Sequence, residues 1–453
     1  MTRWPAPLAP GPLRGVVHVP GSKSATARAF VLASLADAPS RLFGVLSSRD
    51  SGLMRAGLTG LGAGIFDGDG HVRVDPIGEV SCGATVDCGL AGTVLRFLPP
   101  VAALGHGVTS FTGDPRASER PVAPLLDALT QLGVEVSEPR RLPFRIDAAG
   151  RSRGGVVRVD ASGSSQFVSG LLLVGARFED GLTVVHTGTV LPSRPHIAMT
   201  VAMLRAHGVA VDEDGDAWTV HPGPIAGGDE WIEPDLTNTA TFLAAALVTG
   251  GELRAPWPAH TVQAGGELLA VLEAFGASVI VGPGEEVTVR GPDGVRGASV
   301  ELGAVSEITP VAAALAALAD SPSTITGVAH IRGHETDRLA ALATELDALG
   351  AGVRETPDGL VVTPRPLRPT RDFHTSGDHR MAHAAALIGL VTPGIVVDDI
   401  DVTTKTLADF PGLWADLVGC RGRFPGEPGG GKPVHGGGMG VVPLRSYHVR
   451  TGL

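Results

Sequence analysis

The chain repeats one short pattern six times at nearly constant spacing. In each copy a run with helical spacing of apolar residues is followed by glycine, and then by a small or β-branched residue that opens a strand. The six glycines are Gly62, Gly133, Gly208, Gly276, Gly350 and, in the least regular copy, Gly419. Successive glycines are 68 to 75 residues apart. Because glycine is favoured where a helix ends in a left-handed cap, the pattern predicts six copies of one supersecondary unit.

The composition indicates a globular α/β protein. The chain has 453 residues, of which 43% are hydrophobic and 18% charged, so it can bury a core large enough for two or three domains. Only 4% of the residues are aromatic, and the core must therefore be built from alanine, valine and leucine. Predicted strands and helices alternate throughout with short loops, which favours an α/β architecture.

The net charge and the cysteines exclude several classes of function. A net charge of −11 argues against nucleic acid as a partner, because binding to a phosphate backbone needs a basic surface. The three cysteines are Cys82, Cys88 and Cys420, a set too sparse for a disulfide framework or a zinc site. The chain has no apolar run long enough to cross a membrane and no secretion signal, so we expect a cytoplasmic protein.

The repeats predict two domains and a tail. The periodic pattern breaks near Glu233, in the middle of the six units, and we place a domain crossing there. We expect the first domain over residues 21–233, and the second over residues 1–20 together with 234–420. The segment 421–453 is rich in glycine and proline and lacks periodicity, which predicts a mobile tail.

Five predicted helix starts combine small residues, a hydroxyl or an acid and, in most of them, a base. They lie at residues 21–28, 89–96, 162–166, 332–338 and 378–382. A helix N-terminus offers unpaired N–H groups and a partial positive charge, glycine allows close approach, and arginine pairs with phosphate or carboxylate. A single such motif is usually a simple cap. Five of them in separate repeats predict a shared cleft for substrates with several negative groups.

These motifs, in this order, resemble those of the enolpyruvyl transferase family, and within it the 5-enolpyruvylshikimate-3-phosphate synthases (3-phosphoshikimate 1-carboxyvinyltransferases). The resemblance covers residues 17–417. It rests on P-G-S-K-S-x-x-x-R (20–28), A-G-T-x-x-R (91–96), the loop 112–121, S-S-Q (164–166), E-T-D-R (335–338), D-H-R-M-A (378–382) and T-K-T (404–406). The resemblance implies two domains of inverse α/β-barrel type, each with three βαβαββ repeats.

The resemblance also implies an activity. The family transfers the enolpyruvyl group of phosphoenolpyruvate to the 5-hydroxyl of shikimate 3-phosphate and releases phosphate, in the pathway to aromatic amino acids. We therefore expect two small anionic substrates, no cofactor, no metal and a monomer. Because glycine is intact at Gly92, we also expect inhibition by glyphosate, which occupies the phosphoenolpyruvate site in this family.

The resemblance assigns roles to individual residues. The expected catalytic residues are Lys23, Glu307 and Glu335. Those expected to bind shikimate 3-phosphate are Lys23, Ser24, Arg28, Ser164, Ser165, Ser193, Glu307, His330 and His334. Those expected to bind phosphoenolpyruvate are Lys23, Gly92, Arg120, Gln166, Arg338, Arg380 and Lys405. From position alone, Glu307 has a second interpretation, as a first-turn glutamate that complements a helix dipole.

The chain departs from the family pattern at five positions of the expected site, two of which, His330 and His334, lie near the expected shikimate phosphate. The departures are Leu90 for the usual Asn, Glu307 for Asp, His334 for Lys, His330 for Asn and His196 for Tyr. Because an unperturbed histidine titrates near pH 6.5, the new histidines predict that phosphate affinity changes in that range.

Two other functions stay open at this point. One is the related transfer of enolpyruvyl to UDP-N-acetylglucosamine, but the loop 114–120 lacks the reactive cysteine of those enzymes. The other is a non-catalytic ring of repeats that clamps nucleic acid, which the negative net charge disfavours.

Overall fold

The computed structural model describes residues 1–81, 83–150 and 153–419. Cys82, Cys420 and the predicted tail 421–453 lie outside these residues. The helices are α1 Lys23–Leu35, α2 Arg49–Gly60, α3 Gly92–Ala102, α4 Ala123–Gln131, α5 Gln166–Val174, α6 Arg194–Ala206, α7 Leu236–Thr249, α8 Gly265–Ala274, α9 Thr309–Ala317, α10 Arg338–Ala348, α11 His379–Gly389 and α12 Phe410–Gly419. No helix within the described ranges is long and apolar enough to cross a lipid bilayer.

The strands are short and alternate with the helices. They are β1 Trp4–Pro5, β2 Arg14–Val16, β3 Ser40–Phe43, β4 Gly64–Asp67, β5 His71–Asp75, β6 Thr85–Asp87, β7 His106–Thr112, β8 Glu135–Val136, β9 Phe144–Ala149, β10 Gly155–Val159, β11 Leu182–His186, β12 Val211–Asp214, β13 Ala217–Val220, β14 Asp229–Trp231, β15 Glu252–Pro256, β16 Ser278–Gly282, β17 Glu286–Arg290, β18 Ser299–Glu301, β19 Ser323–Thr326, β20 Gly352–Thr356, β21 Gly359–Thr363 and β22 Val396–Val397.

Five of the repeats form the same four-stranded sheet. The strand orders are β14-β3-β5-β4, β6-β7-β9-β8, β10-β11-β13-β12, β2-β15-β17-β16 and β18-β19-β21-β20. In each sheet the first pair is parallel and the other two pairs are antiparallel, which is the arrangement of a βαβαββ unit. The sixth unit is shorter among the described residues: β22 pairs with β1, and Phe373 forms a single bridge to Val397.

The predicted glycine caps are confirmed in five of the six units. Gly62, Gly133, Gly208, Gly276 and Gly350 follow α2, α4, α6, α8 and α10 with φ between 80° and 114°. In each case the next N–H donates to a carbonyl five residues earlier, as Ala63 does to Leu58 over 3.0 Å. This pair of features is a Schellman motif, in which only glycine avoids backbone strain. The sixth glycine, Gly419, is the last residue of α12 and of the described range.

Two hydrophobic cores each surround three buried helices. One core is built from residues 25–232 around α1, α3 and α5, and the other from residues 13–17 and 236–417 around α7, α9 and α11. These six inner helices are rich in small residues, which lets their backbones approach closely. At Gly170 in α5, an added Cβ would lie 2.3 Å from the carbonyl oxygen of Arg96 in α3. The inner helices therefore depend on alanine and glycine for their packing.

The chain passes between the two cores along two adjacent segments. Gly21 and Pro234 form an antiparallel bridge, and the N–H of Ser22 donates to the carbonyl of Glu233 over 2.7 Å. Glycine is required at Gly21, because an added Cβ would lie 2.0 Å from the carbonyl oxygen of Gly44. The domain boundaries that we placed at residues 21–233 stay a prediction.

Candidate active site

The N-terminal ends of all six inner helices line one narrow cavity of about 70 Å³. Each helix contributes a residue from its first turn or, for α9, from the turn just before it. These residues are Lys23, Thr93, Gln166, Thr237, Glu307 and Arg380. Helix N-termini carry partial positive charge and free N–H groups, so six of them around one space create a strongly anion-attracting region.

Arg338 is the centre of the charged cluster at this site. Its side chain is fully buried and donates hydrogen bonds to three carboxylates. The distances are 2.6 Å to Oδ2 of Asp378, 2.9 Å to Oε2 of Glu335 and 3.0 Å to Oε2 of Glu307. Burial alone lowers the pKa of Arg338, but these carboxylates outweigh it and raise the pKa above the ordinary value. Arg338 therefore stays charged and fixes the positions of both predicted catalytic acids.

Glu335 is a buried carboxylate among three cations. Its Oε1 accepts a short hydrogen bond from Nζ of Lys405 and lies 3.8 Å from Nη1 of Arg120. Burial raises the pKa of Glu335, but Lys405, Arg338 and Arg120 outweigh it and hold the pKa well below the ordinary value. The site thus contains an ionised Glu335 at neutral pH.

Glu307 lies on the other side of Arg338 and is about 30% exposed. Nε of Arg380 lies 3.4 Å from its Oε2, and Nδ1 of His334 lies 3.3 Å from its Oε1. Burial raises the pKa of Glu307, while Arg338, His334 and Arg380 together bring it well below the ordinary value. Both predicted acids are therefore proton acceptors in this structure.

A single main-chain carbonyl joins two of the predicted phosphoenolpyruvate ligands. The carbonyl oxygen of Leu90 accepts hydrogen bonds from Arg120 over 2.9 Å and from Lys405 over 3.2 Å. Gly92 lies directly beside them, since an added Cβ would be 2.9 Å from both Nη2 of Arg120 and Nη1 of Arg96. The structure therefore brings Gly92, Arg120 and Lys405 close together, and their binding of phosphoenolpyruvate stays a prediction.

The predicted acceptor side contains three histidines, His196, His330 and His334. Burial lowers the pKa of His330 and of His196 to about 4, and burial together with Arg338 lowers the pKa of His334 well below its ordinary value. The pKa of His330 and of His334 in this structure thus lies below the range near pH 6.5 in which we expected them to titrate, and the pH dependence of phosphate affinity stays a prediction. Within the described residues, no group of three or more His, Cys, Asp or Glu side chains is placed to hold a metal ion.

Several residues assigned by resemblance lie at the edge of this cluster or beneath it. Lys23 and Ser24 line the cavity, and Nζ of Lys23 lies 3.6 Å from Oδ2 of the buried Asp50. Ser164 and Ser165 form the turn before α5 and do not line the cavity.

Arg28 is also placed beneath the cavity in this structure. Its guanidinium is buried and donates to the carbonyls of Ser24 and His196, over 2.9 Å each, and to the hydroxyl of Thr200 over 2.7 Å. Burial lowers the pKa of Arg28 to about 9. In this state Arg28 holds α1 against α6, rather than pointing into the cavity.

Sequence reasoning missed four residues that position the predicted ligands. Asp378 and Arg96 belong to motifs that we singled out, but we gave them no role; Arg96 donates to Oε1 of Gln166 over 3.0 Å. Asn238 is fully buried and accepts a hydrogen bond from Arg380 over 2.7 Å. Neither Asn238 nor Asp50 had a signal in the sequence, because their roles depend on contacts between distant segments.

Comparison with known proteins identifies the fold and the family. The profile of the family described as EPSP synthase (3-phosphoshikimate 1-carboxyvinyltransferase) matches residues 8–414. An EPSP synthase structure from Acinetobacter baumannii is 22% identical, with a TM-score of 0.74 over 90% of this chain and 97% of that one. The enolpyruvyl transferase NikO from Streptomyces tendae is also 22% identical, with a TM-score of 0.72 over 90% of this chain and 96% of that one. The predicted fold is confirmed, and the chain belongs to the EPSP synthase family.

Proposed function

We propose that the chain transfers the enolpyruvyl group of phosphoenolpyruvate to the 5-hydroxyl of shikimate 3-phosphate, with release of phosphate. The observation that carries this proposal is the convergence of six helix N-termini, with Lys23, Arg380 and Glu307, on one cavity. Arg338 links Glu307 to Glu335, which is paired with Arg120 and Lys405 in the adjoining charged cluster. Two highly anionic substrates fit this charge pattern. A cytoplasmic monomer that acts without nucleic acid, cofactor or metal stays part of the proposal.

The reaction needs positive charge for binding and carboxylates for proton transfer. Protonation of the methylene carbon of phosphoenolpyruvate produces a cation-like carbon, which the oxygen of the 5-hydroxyl attacks as its proton leaves. The resulting tetrahedral intermediate then loses a proton from the new methyl group and releases phosphate, which restores the double bond. Positioned acids and bases typically contribute about 10²- to 10⁴-fold to such steps.

We assign the proton transfers to the two acids and Lys23. Glu335 and Lys23 would act at the methylene carbon and the leaving phosphate, and Glu307 would bind the ring hydroxyls and accept a proton from the 5-hydroxyl or the methyl group. Both acids are ionised in this structure because they are paired with cations. When an anionic substrate shares those cations, the pairing weakens and the pKa of each acid rises toward the range needed for proton donation.

A phosphate-release assay tests the proposal. The purified chain is incubated with phosphoenolpyruvate and one acceptor, either shikimate 3-phosphate or UDP-N-acetylglucosamine. We expect phosphate to be released only with shikimate 3-phosphate, and the enolpyruvyl ether to appear in equal amount. Release with only the nucleotide sugar would assign the chain to the related reaction, and no release with either acceptor would reject enolpyruvyl transfer to both.

A further inference from the structure

Ser193 has an unusual backbone, and its hydroxyl does not cap the helix that follows it. It is the N-cap of α6, yet its side chain makes no capping hydrogen bond, although capping is the usual reason for serine at this position. Its φ of 51° and ψ of 44° are left-handed, which costs a residue other than glycine about 1–2 kcal/mol. Its N–H donates to the carbonyl of Gly303 over 3.0 Å. A loop that packs with the second core therefore holds Ser193 in this conformation.

The hydroxyl of Ser306, in the same loop, lies within hydrogen-bond distance of that of Ser193. Ser306 is only 2% exposed and lines the cavity beside Glu307. Its Oγ lies 3.4 Å from Oγ of Ser193 and 2.8 Å from Nε2 of His330. The hydroxyl of Thr309 donates to the carbonyl of Ser306 over 2.7 Å, which fixes the backbone. Ser306 therefore joins two residues that the sequence assigned to the acceptor substrate.

The number of hydrogen bonds that a hydroxyl can make limits how Ser306 contacts its two neighbours. A serine hydroxyl donates one hydrogen bond and accepts up to two, so its bond to His330 restricts its bond to Ser193. With either tautomer of the neutral His330, Ser306 can still bond Ser193, as a donor or as an acceptor. The hydrogen bonds between His330 and Ser306 and between Ser306 and Ser193 thus restrain the Ser193 side chain at the rim of the cavity.

We propose that Ser306 is a positioning residue that orients the Ser193 hydroxyl toward the phosphate of the acceptor substrate. The proposal rests on the proposed function and on the family resemblance, which assigns Ser193 to shikimate 3-phosphate. Because Ser193 and Ser306 belong to different cores, their contact exists only while the two halves are together. Ser306 therefore couples acceptor binding to the closed arrangement without itself taking part in the chemistry.

Steady-state kinetics of four proteins tests this role. The proteins are the wild-type chain, Ser306→Ala, Ser193→Ala and the double variant. Loss of one orienting hydrogen bond should raise the KM for shikimate 3-phosphate about 3- to 10-fold in Ser306→Ala. The KM for phosphoenolpyruvate and kcat should stay within about twofold. The reason is that the Ser306 hydroxyl contacts neither the predicted phosphoenolpyruvate ligands nor the cations paired with Glu307 and Glu335. Since Ser306 acts through Ser193, the substitution should have little further effect in the Ser193→Ala background.

Ser323→Ala is the matched control, because Ser323 is equally buried in the same half and accepts a hydrogen bond from Ala298. Its KM values should equal those of the wild type. An unchanged KM for shikimate 3-phosphate in Ser306→Ala would overturn the proposal, as would an equal effect of the substitution with and without the Ser193 hydroxyl. A wild-type chain inactive with shikimate 3-phosphate would instead remove the proposed function, and this inference with it.

Discussion

At the scale of single residues, the site is a set of cations whose charges are already matched by carboxylates. Arg338 contacts Glu307, Glu335 and Asp378, while Lys405 contacts Glu335. An arriving anion must compete with these carboxylates for the same N–H groups. Binding is therefore linked to the protonation of the two predicted acids, and this link connects recognition to proton transfer.

Glu307→Gln and Glu335→Gln test that link. Glutamine keeps the shape and part of the hydrogen bonding but cannot accept a proton, so kcat should fall at least about 100-fold in each variant. Glu355→Gln is the control, because Glu355 is an exposed carboxylate paired with Arg332 outside the cavity. Turnover near the wild-type rate in either variant would remove that glutamate from the mechanism.

Gly92→Ala tests the donor side of the site. The added methyl would lie 2.9 Å from the guanidinium nitrogens of Arg120 and Arg96, whose flexible ends would have to move. We expect the KM for phosphoenolpyruvate to rise and inhibition by glyphosate to weaken, while the protein stays folded. Inhibition curves and thermal unfolding measure both effects. Unchanged inhibition would mean that Gly92 lies away from the inhibitor.

Residues in recognisable motifs were predictable, whereas residues that act through contacts between distant segments, such as Asp50 and Asn238, were not. Arg120, Glu335 and Lys405 occur in motifs whose residue types suggest anion chemistry, and the structure brings them within one cluster. Ser306 and Asn238 are ordinary polar residues in the sequence. Their roles arise only when loops and helices from distant positions meet, and local patterns contain no information about those contacts.

At the scale of elements, the inner helices combine buried surfaces with functional ends. In helix α11 this arrangement buries a histidine without a hydrogen-bond partner in the part of the chain that the structure describes. His383 is fully buried one turn after His379, stacks on Phe410 at 4.7 Å and has no hydrogen-bond partner among the described residues. Burial, with Arg380 and Arg338, lowers the pKa of His383 well below its ordinary value. The folded protein thus keeps this histidine neutral.

His383→Met should make the protein less sensitive to acid. Below pH 6.5 the unfolded chain binds a proton at His383 and the folded chain does not, so the free energy of unfolding falls as the pH decreases. By pH 5 this group should account for about 2 kcal/mol of the loss. Urea unfolding at pH 7 and pH 5 measures the loss in both proteins, with His379 present in each. An identical loss would show that His383 is protonated in the folded state.

The elements were the most predictable level of the structure. Glycine spacing predicted the ends of α2, α4, α6, α8 and α10, because a left-handed cap is a local requirement that one residue type satisfies. The reduced sheet of the sixth unit was not predictable. Its strands depend on pairing between β1 and β22, which are nearly 400 residues apart.

At the scale of the whole molecule, hydrogen bonds to main-chain carbonyls are among the polar contacts that join the two halves across the site. Arg116 donates to the carbonyl of Glu335 over 3.1 Å, and Lys405 donates to that of Leu90 over 3.2 Å. Among the described residues, the chain crosses between the halves beside Gly21 and Pro234. This arrangement favours hinge motion, with substrate binding stabilising the closed state.

Small-angle scattering should detect this motion. Lys23 and Arg380 belong to different halves and line the same cavity, so the phosphate and carboxylate of shikimate 3-phosphate should contact both halves and draw them together. We expect the radius of gyration to decrease when shikimate 3-phosphate is added. Shikimate without the phosphate is the control and should have a smaller effect. Identical scattering with and without shikimate 3-phosphate would contradict the hinge.

The pairing of β2 with β15 has a consequence for synthesis on the ribosome. Arg14 in β2 lies opposite Glu252 in β15, so the first of these strands emerges long before its neighbour exists. At about 5–20 residues per second, the delay is roughly 10–50 s. During that interval residues 25–232 can form the first core, whereas β2 stays unpaired until β15 has been synthesised.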